Sequence, residues 1–137
     1  MTSVAAFLAY VERVRSHPFV WGRHDCMTFA NAAVTAYRGR GFADDWVNAY
    51  STENEASSHA AALLLAMGAG NVVEAVDRRL DRSRSLIPPR ASVVARPSDG
   101  VLGYGFGVMV SDRAAFVGPR GLVMLKVRPT DICWSVG

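Results

Sequence analysis

The chain has 137 residues, 50% of them hydrophobic and 20% charged, with a mean hydropathy of +0.14; these values fit one globular domain and exclude both a disordered chain and two full domains. Fifteen Lys and Arg against twelve Asp and Glu leave a formal charge of +3, too small and too dispersed for a nucleic-acid-binding stripe. Two distant cysteines, Cys26 and Cys133, exclude a secreted disulfide framework and a zinc ribbon, and make a reduced compartment the default.

The N-terminal stretch lacks the basic start and small-residue cleavage pattern of a signal peptide, and Glu12 and Arg13 interrupt it. The longest apolar run, Ala60 to Ala66, is too short to span a bilayer. A soluble protein, or part of a soluble assembly, is expected.

Val4, Phe7, Leu8, Val11 and Val14 recur at helical spacing behind Ser3, an N-cap residue, and predict a helix over about 4–15 that ends at His17-Pro18. A second helix is expected from Cys26 behind Asp25, with Cys26, Phe29, Ala30, Ala33, Val34 and Tyr37 on one buried face and Gly39 and Gly41 closing it. Phe42 to Tyr50 reads as a loop or short helical turn held down by Trp46. Thr52-Glu-Asn-Glu55 opens a third helix that runs to Met67, with Gly68 just past its end, and Asn71 opens a fourth that dissolves at Arg82-Ser-Arg-Ser. Beyond Pro88-Pro89 the pattern turns extended: Ser92–Ala95, Val101–Val110, Ala114–Val117 and Leu122–Val127 predict an antiparallel meander. Helices first and strands second give an α+β fold with the N-terminal helices on one face of a C-terminal antiparallel sheet, all within a single domain over 1–137.

The chemistry is concentrated in Phe19-Val-Trp-Gly-Arg-His-Asp-Cys26-Met-Thr-Phe29. A thiol at a helix N-terminus faces the positive end of the helix dipole and free backbone N–H groups, which favour a thiolate nucleophile. The same position also suits a small core residue.

Trp-Gly-x-x-Asp-Cys-x-x-Phe at a helix start, followed by a helical insertion and a C-terminal antiparallel sheet, resembles the NlpC-type cysteine peptidases, papain-like enzymes that cleave bacterial cell-wall peptides. The pattern is more similar still to a small relative of that superfamily from tail gene clusters of tailed bacteriophages and gene transfer agents. The resemblance rests on Trp21, Gly22, Asp25, Cys26 and Phe29, on Tyr50-x-Thr-Glu53, on Ala115-Phe-x-Gly-Pro-x-Gly-Leu122 and on Trp134. It implies an NlpC/papain-like fold with Cys26 in the nucleophile slot. In the peptidases a histidine at the start of a sheet strand pairs with the cysteine; laid on Phe106-Gly107-Val108-Met109, that slot falls at Gly105, and no histidine follows His59. The Gly-Asp of the family is Ala91-Ser92 here. Cys26 is thus expected to be buried with no imidazole bonded to its sulfur, a vestigial site.

Three histidines remain. His24 lies two residues before Cys26 and is the alternative partner for the thiol; His17 looks like a helix-end residue and His59 like a solvated group on a helix flank. Adjacent His24, Asp25 and Cys26 do not converge on one ion, and no metal or cofactor is expected. Gly103, Gly105 and Gly107 read as a strand approached closely by a neighbour. The Glu74–Arg84 charge cluster reads first as a solvated helix face.

The resemblance implies a structural component of a phage or gene-transfer-agent tail tip or baseplate hub, made in the host cytoplasm and carried in the virion, with other tail proteins as partners. The alternative is an active cysteine hydrolase of cell-wall peptides using Cys26. The chain holds more aromatic residues than one small core needs, among them Trp46, Tyr50, Tyr104, Phe106 and Trp134. The partner is therefore expected on the rim of the vestigial catalytic groove that the resemblance implies, at Trp21 and Gly22 on one side and Tyr104 and Phe106 on the other.

Overall fold

A computed structural model describes residues 2–137. Four helices come first: α1 (Val4–Val14), α2 (Cys26–Arg38), α3 (Glu53–Met67) and α4 (Val72–Asp77), with a 3-10 turn at Asp44–Trp46. Strands β1 (Asp81–Arg82), β2 (Val93–Pro97), β3 (Tyr104–Met109), β4 (Ala114–Gly118), β5 (Gly121–Leu125) and β6 (Ile132–Ser135) follow. The architecture is α+β, with an antiparallel six-stranded sheet in the order β1-β6-β2-β3-β4-β5.

The helix ends follow their local chemistry. The side chains of Ser3, Asp25, Thr52 and Asn71 each accept a backbone N–H from the first turn that follows. Gly39 and Gly68 stop α2 and α3 in the left-handed conformation, φ +82° and +65°.

The expected meander is correct only for β2 to β5. After β5 the chain crosses back and inserts β6 between β2 and β1, so that β6 and β1 extend the sheet beyond the expected meander. As an interior strand, β6 is covered on both faces: Trp134 packs with Val93, Ala95, Phe106, Val108 and Ala115 toward the helices, and Cys133 packs with Val94, Met109 and Ala114 behind the sheet. Its apolar residues are therefore core, not a partner surface. Trp46, Tyr50, Phe106 and Trp134 are all buried, so four of the five aromatics assigned as surplus belong to the fold.

The charge cluster after α4 also holds the fold together. Arg79 makes a bidentate pair with Asp45 at 2.8 Å and donates to the Phe42 carbonyl, tying α4 to the 3-10 turn. Arg82 pairs with Asp77, whose Oδ1 also accepts the Trp134 indole N–H. Because the Arg79 pair is partly solvated, Arg79→Ala is expected to cost only about 1 kcal/mol, read from urea denaturation midpoints.

Candidate functional site

The Trp-Gly-x-x-Asp-Cys segment folds as a tight turn closed by reciprocal backbone hydrogen bonds between Val20 and His24. Gly22 sits at φ +80° with its carbonyl accepting from Asn48 N–H, and a Cβ there would fall 1.9 Å from the Tyr50 carbonyl oxygen. Only glycine fits such an approach. Asp25 gathers the turn. Its fully buried carboxylate accepts from Gly22 N–H, Thr28 N–H, Thr28 Oγ1 and, at 2.6 Å, the Tyr50 hydroxyl. Thr28 Oγ1 in turn accepts from Asp25 N–H, completing a capping box at the start of α2. Burial and the adjoining Asp25 carboxylate push the Tyr50 phenol far above its ordinary value, so it stays a donor.

Cys26 follows at the first position of α2, half-buried against the core. Nearby backbone N–H groups, that of Phe106 foremost, favour its anion, yet burial outweighs them and pushes the thiol up to about 11. The Phe106 N–H is free to do this because the β3–β4 ladder ends at Gly107↔Phe116. Along β3, Met109 N–H points to β2 and Val110 N–H to β4, so Phe106 N–H points to the β4 side beyond the last pair.

Gly105 pairs with Arg96 and shares the sheet face of Gly107 and Met109, away from the helices, whereas Phe106 faces them with Val108 and packs on Trp134 at 6.2 Å. The β3 side chain on the Cys26 side of the sheet is a phenyl ring. Gly107 is the close-approach glycine: a Cβ would lie 2.3 Å from the Ala115 carbonyl, while one at Gly105 would meet nothing within 4 Å.

His24 is buried between His17 and Phe29. Its ring packs edge-on against His17 and Phe29, each at 5.8 Å, and its Nε2 has no hydrogen-bond partner. Burial, then His17, lowers its pKa below the usual imidazole value, opposed by Asp25. His17 is exposed. His59 differs from the expected solvated group: it is half-buried, with its ring 5.1 Å from Trp46 and 5.6 Å from Tyr50, and its Nε2 is enclosed without a partner. The missed signal was its place on the Ala56–Ala60 face, since both alanines are buried.

Of the expected rim, Gly22 and Phe106 are buried and drop out, while Trp21 and Tyr104 remain half-exposed. Trp21 packs edge-on against Phe19 at 4.7 Å and lines an open hollow of about 410 Å³ with Arg23, Asn48, Tyr50 and Glu55. Among the described residues no cluster of three or more His, Cys, Asp or Glu could hold a metal ion, and no helix is long and apolar enough to cross a membrane.

Fold and site define an α+β protein with a neutral cysteine at a helix N-terminus, packed on an antiparallel sheet and lacking an imidazole bonded to the sulfur among the described residues. The chain belongs to the family described as Domain of unknown function (DUF6950), whose family model matches residues 3–136. No curated protein matches the chain, and no solved structure does.

Proposed function

We propose that this chain is a catalytically degenerate, NlpC-like domain that serves as a structural component of a tail tip or baseplate hub in a tailed phage or gene transfer agent. Its partners are other tail proteins and its place is the virion. The observation that carries the degenerate reading is the setting of Cys26: among the described residues no imidazole is hydrogen-bonded to its sulfur, and burial pushes the thiol up to about 11. Acyl transfer needs an imidazole or carboxylate near the sulfur, first as base and then as acid for the leaving amine. The Asp25 carboxylate is occupied by four donors. The place in a tail rests on the sequence resemblance at Trp21, Gly22, Asp25, Cys26 and Phe29.

The second reading, an active hydrolase of cell-wall peptides through Cys26, draws on the enclosed, unpartnered Nε2 atoms of His24 and His59. One pair of measurements separates the two. The purified protein is expected to release no peptide from peptidoglycan, and antibody labelling in electron micrographs is expected at the particle's tail tip. Peptide release that vanishes in Cys26→Ala establishes the hydrolase instead, and particles without label overturn the tail assignment.

A further inference from the structure

The sheet has two edges. β1 contributes two residues, but β5 presents Gly121-Leu-Val-Met-Leu125, five residues with no charge, no proline and an unbroken ladder to β4. Exposed edges of this kind are ordinarily blunted by charges, prolines or bulges. The hydrogen-bond parity identifies what is open. Leu122 N–H points outward and is taken by the Arg15 carbonyl at the end of α1, an approach that Gly121 permits, since a Cβ there would lie 2.6 Å from that oxygen. Two residues on, Met124 directs its N–H and C=O the same way with no strand beyond it. Val123 and Met124 are 44% and 41% exposed, so both faces of an added strand would meet apolar side chains.

A second feature lies at the Gly121 end of this edge. Arg15, Ser16, Pro119 and Arg120 border an open hollow of about 400 Å³ that reaches Leu122 and Val123. Arg120 has no carboxylate partner among the described residues, and Arg15 has only a loose, solvated contact with Glu12 at 3.6 Å. A strand added antiparallel to β5, as every neighbour in this sheet is, brings its C-terminal end over these guanidiniums.

The geometry points to β5 as a docking edge for an extended segment of a partner protein, added antiparallel at Met124, with acidic residues or a terminal carboxylate at its C-terminal end held by Arg15 and Arg120. Backbone pairing supplies attachment and the charge at one end supplies direction. This surface lies away from Cys26 and does not depend on how that site is read.

The test uses a short alternating valine–threonine peptide ending in two glutamates, and its counterpart ending in two lysines, titrated into the isotopically labelled full chain. The glutamate peptide is expected to protect the Met124 amide from hydrogen exchange and to bind about tenfold more tightly than the lysine peptide. Arg120→Glu should erase that preference. Met124→Pro should abolish binding while Met124→Ala retains it, because only proline removes the outward N–H. Absence of protection at Met124, or equal binding of both peptides, overturns the proposal. So does a concentration-dependent dimer that Met124→Pro abolishes, which would assign the edge to a second copy.

Discussion

Asp25→Ala is expected to cost about 3–4 kcal/mol of folding stability, near the upper end for a single polar substitution. The carboxylate accepts four hydrogen bonds out of contact with solvent, and alanine leaves Gly22 N–H, Thr28 N–H and the Tyr50 hydroxyl without a partner. Loss of the helix cap alone accounts for about 1 kcal/mol and each stranded buried donor adds about as much or more. Asp25→Asn keeps one oxygen for Thr28 but puts an amide donor against other donors, so about half of the loss should return. Urea denaturation followed by circular dichroism checks both variants. An Asp25→Ala loss below 1 kcal/mol would show that the turn does not depend on this carboxylate.

Alkylation of Cys26 by iodoacetamide at pH 8 is expected to be slower than that of an unstructured cysteine by on the order of a hundredfold, because only the thiolate reacts. The thiol is pushed up to about 11, so the rate should climb about tenfold per pH unit up to that value. Cys133 is pushed up to about 11 as well, so peptide mapping by mass spectrometry is needed to follow each site. The sign of the linkage follows. A thiol whose pKa rises on folding holds its proton longer in the native state, so stability present at neutral pH is lost as pH climbs from the unfolded thiol range toward 11. A catalytic cysteine shows the opposite behaviour, with rapid alkylation at pH 7 that falls only in acid. Rapid alkylation of Cys26 at pH 7 would remove the basis of the degenerate reading.

Much of the site was legible because its logic is local. Asp25, three residues before Thr28, specifies a cap, and Cys26 must then open the helix; the two glycines that stop α2 and α3 are equally local signals. His59 was misplaced because a helix such as α3 carries alanine and leucine on several faces, and periodicity alone does not say which face meets Trp46 and Tyr50. The facing of β3 is hidden in the sequence for a related reason. A shift of one residue along a strand exchanges its two faces, and only the pairing of Val93 with Val108 and of Ala95 with Phe106 shows which side chains of β3 face the helices.

What depends on neighbours a few residues away can be read from the chain alone: the α+β order, the four helix starts, and the absence of any histidine after His59. The tertiary structure alone decided what depends on contacts between distant segments. It placed β6 between β1 and β2, buried Trp134 and Phe106 as a stacked pair, and left β5 as the open edge. It also decided the chemistry of Cys26. The helix start is a local feature that favours the anion, but the burial that outweighs it comes from residues brought up by the rest of the chain, and desolvation by distant neighbours has no signature in the residues that flank a thiol.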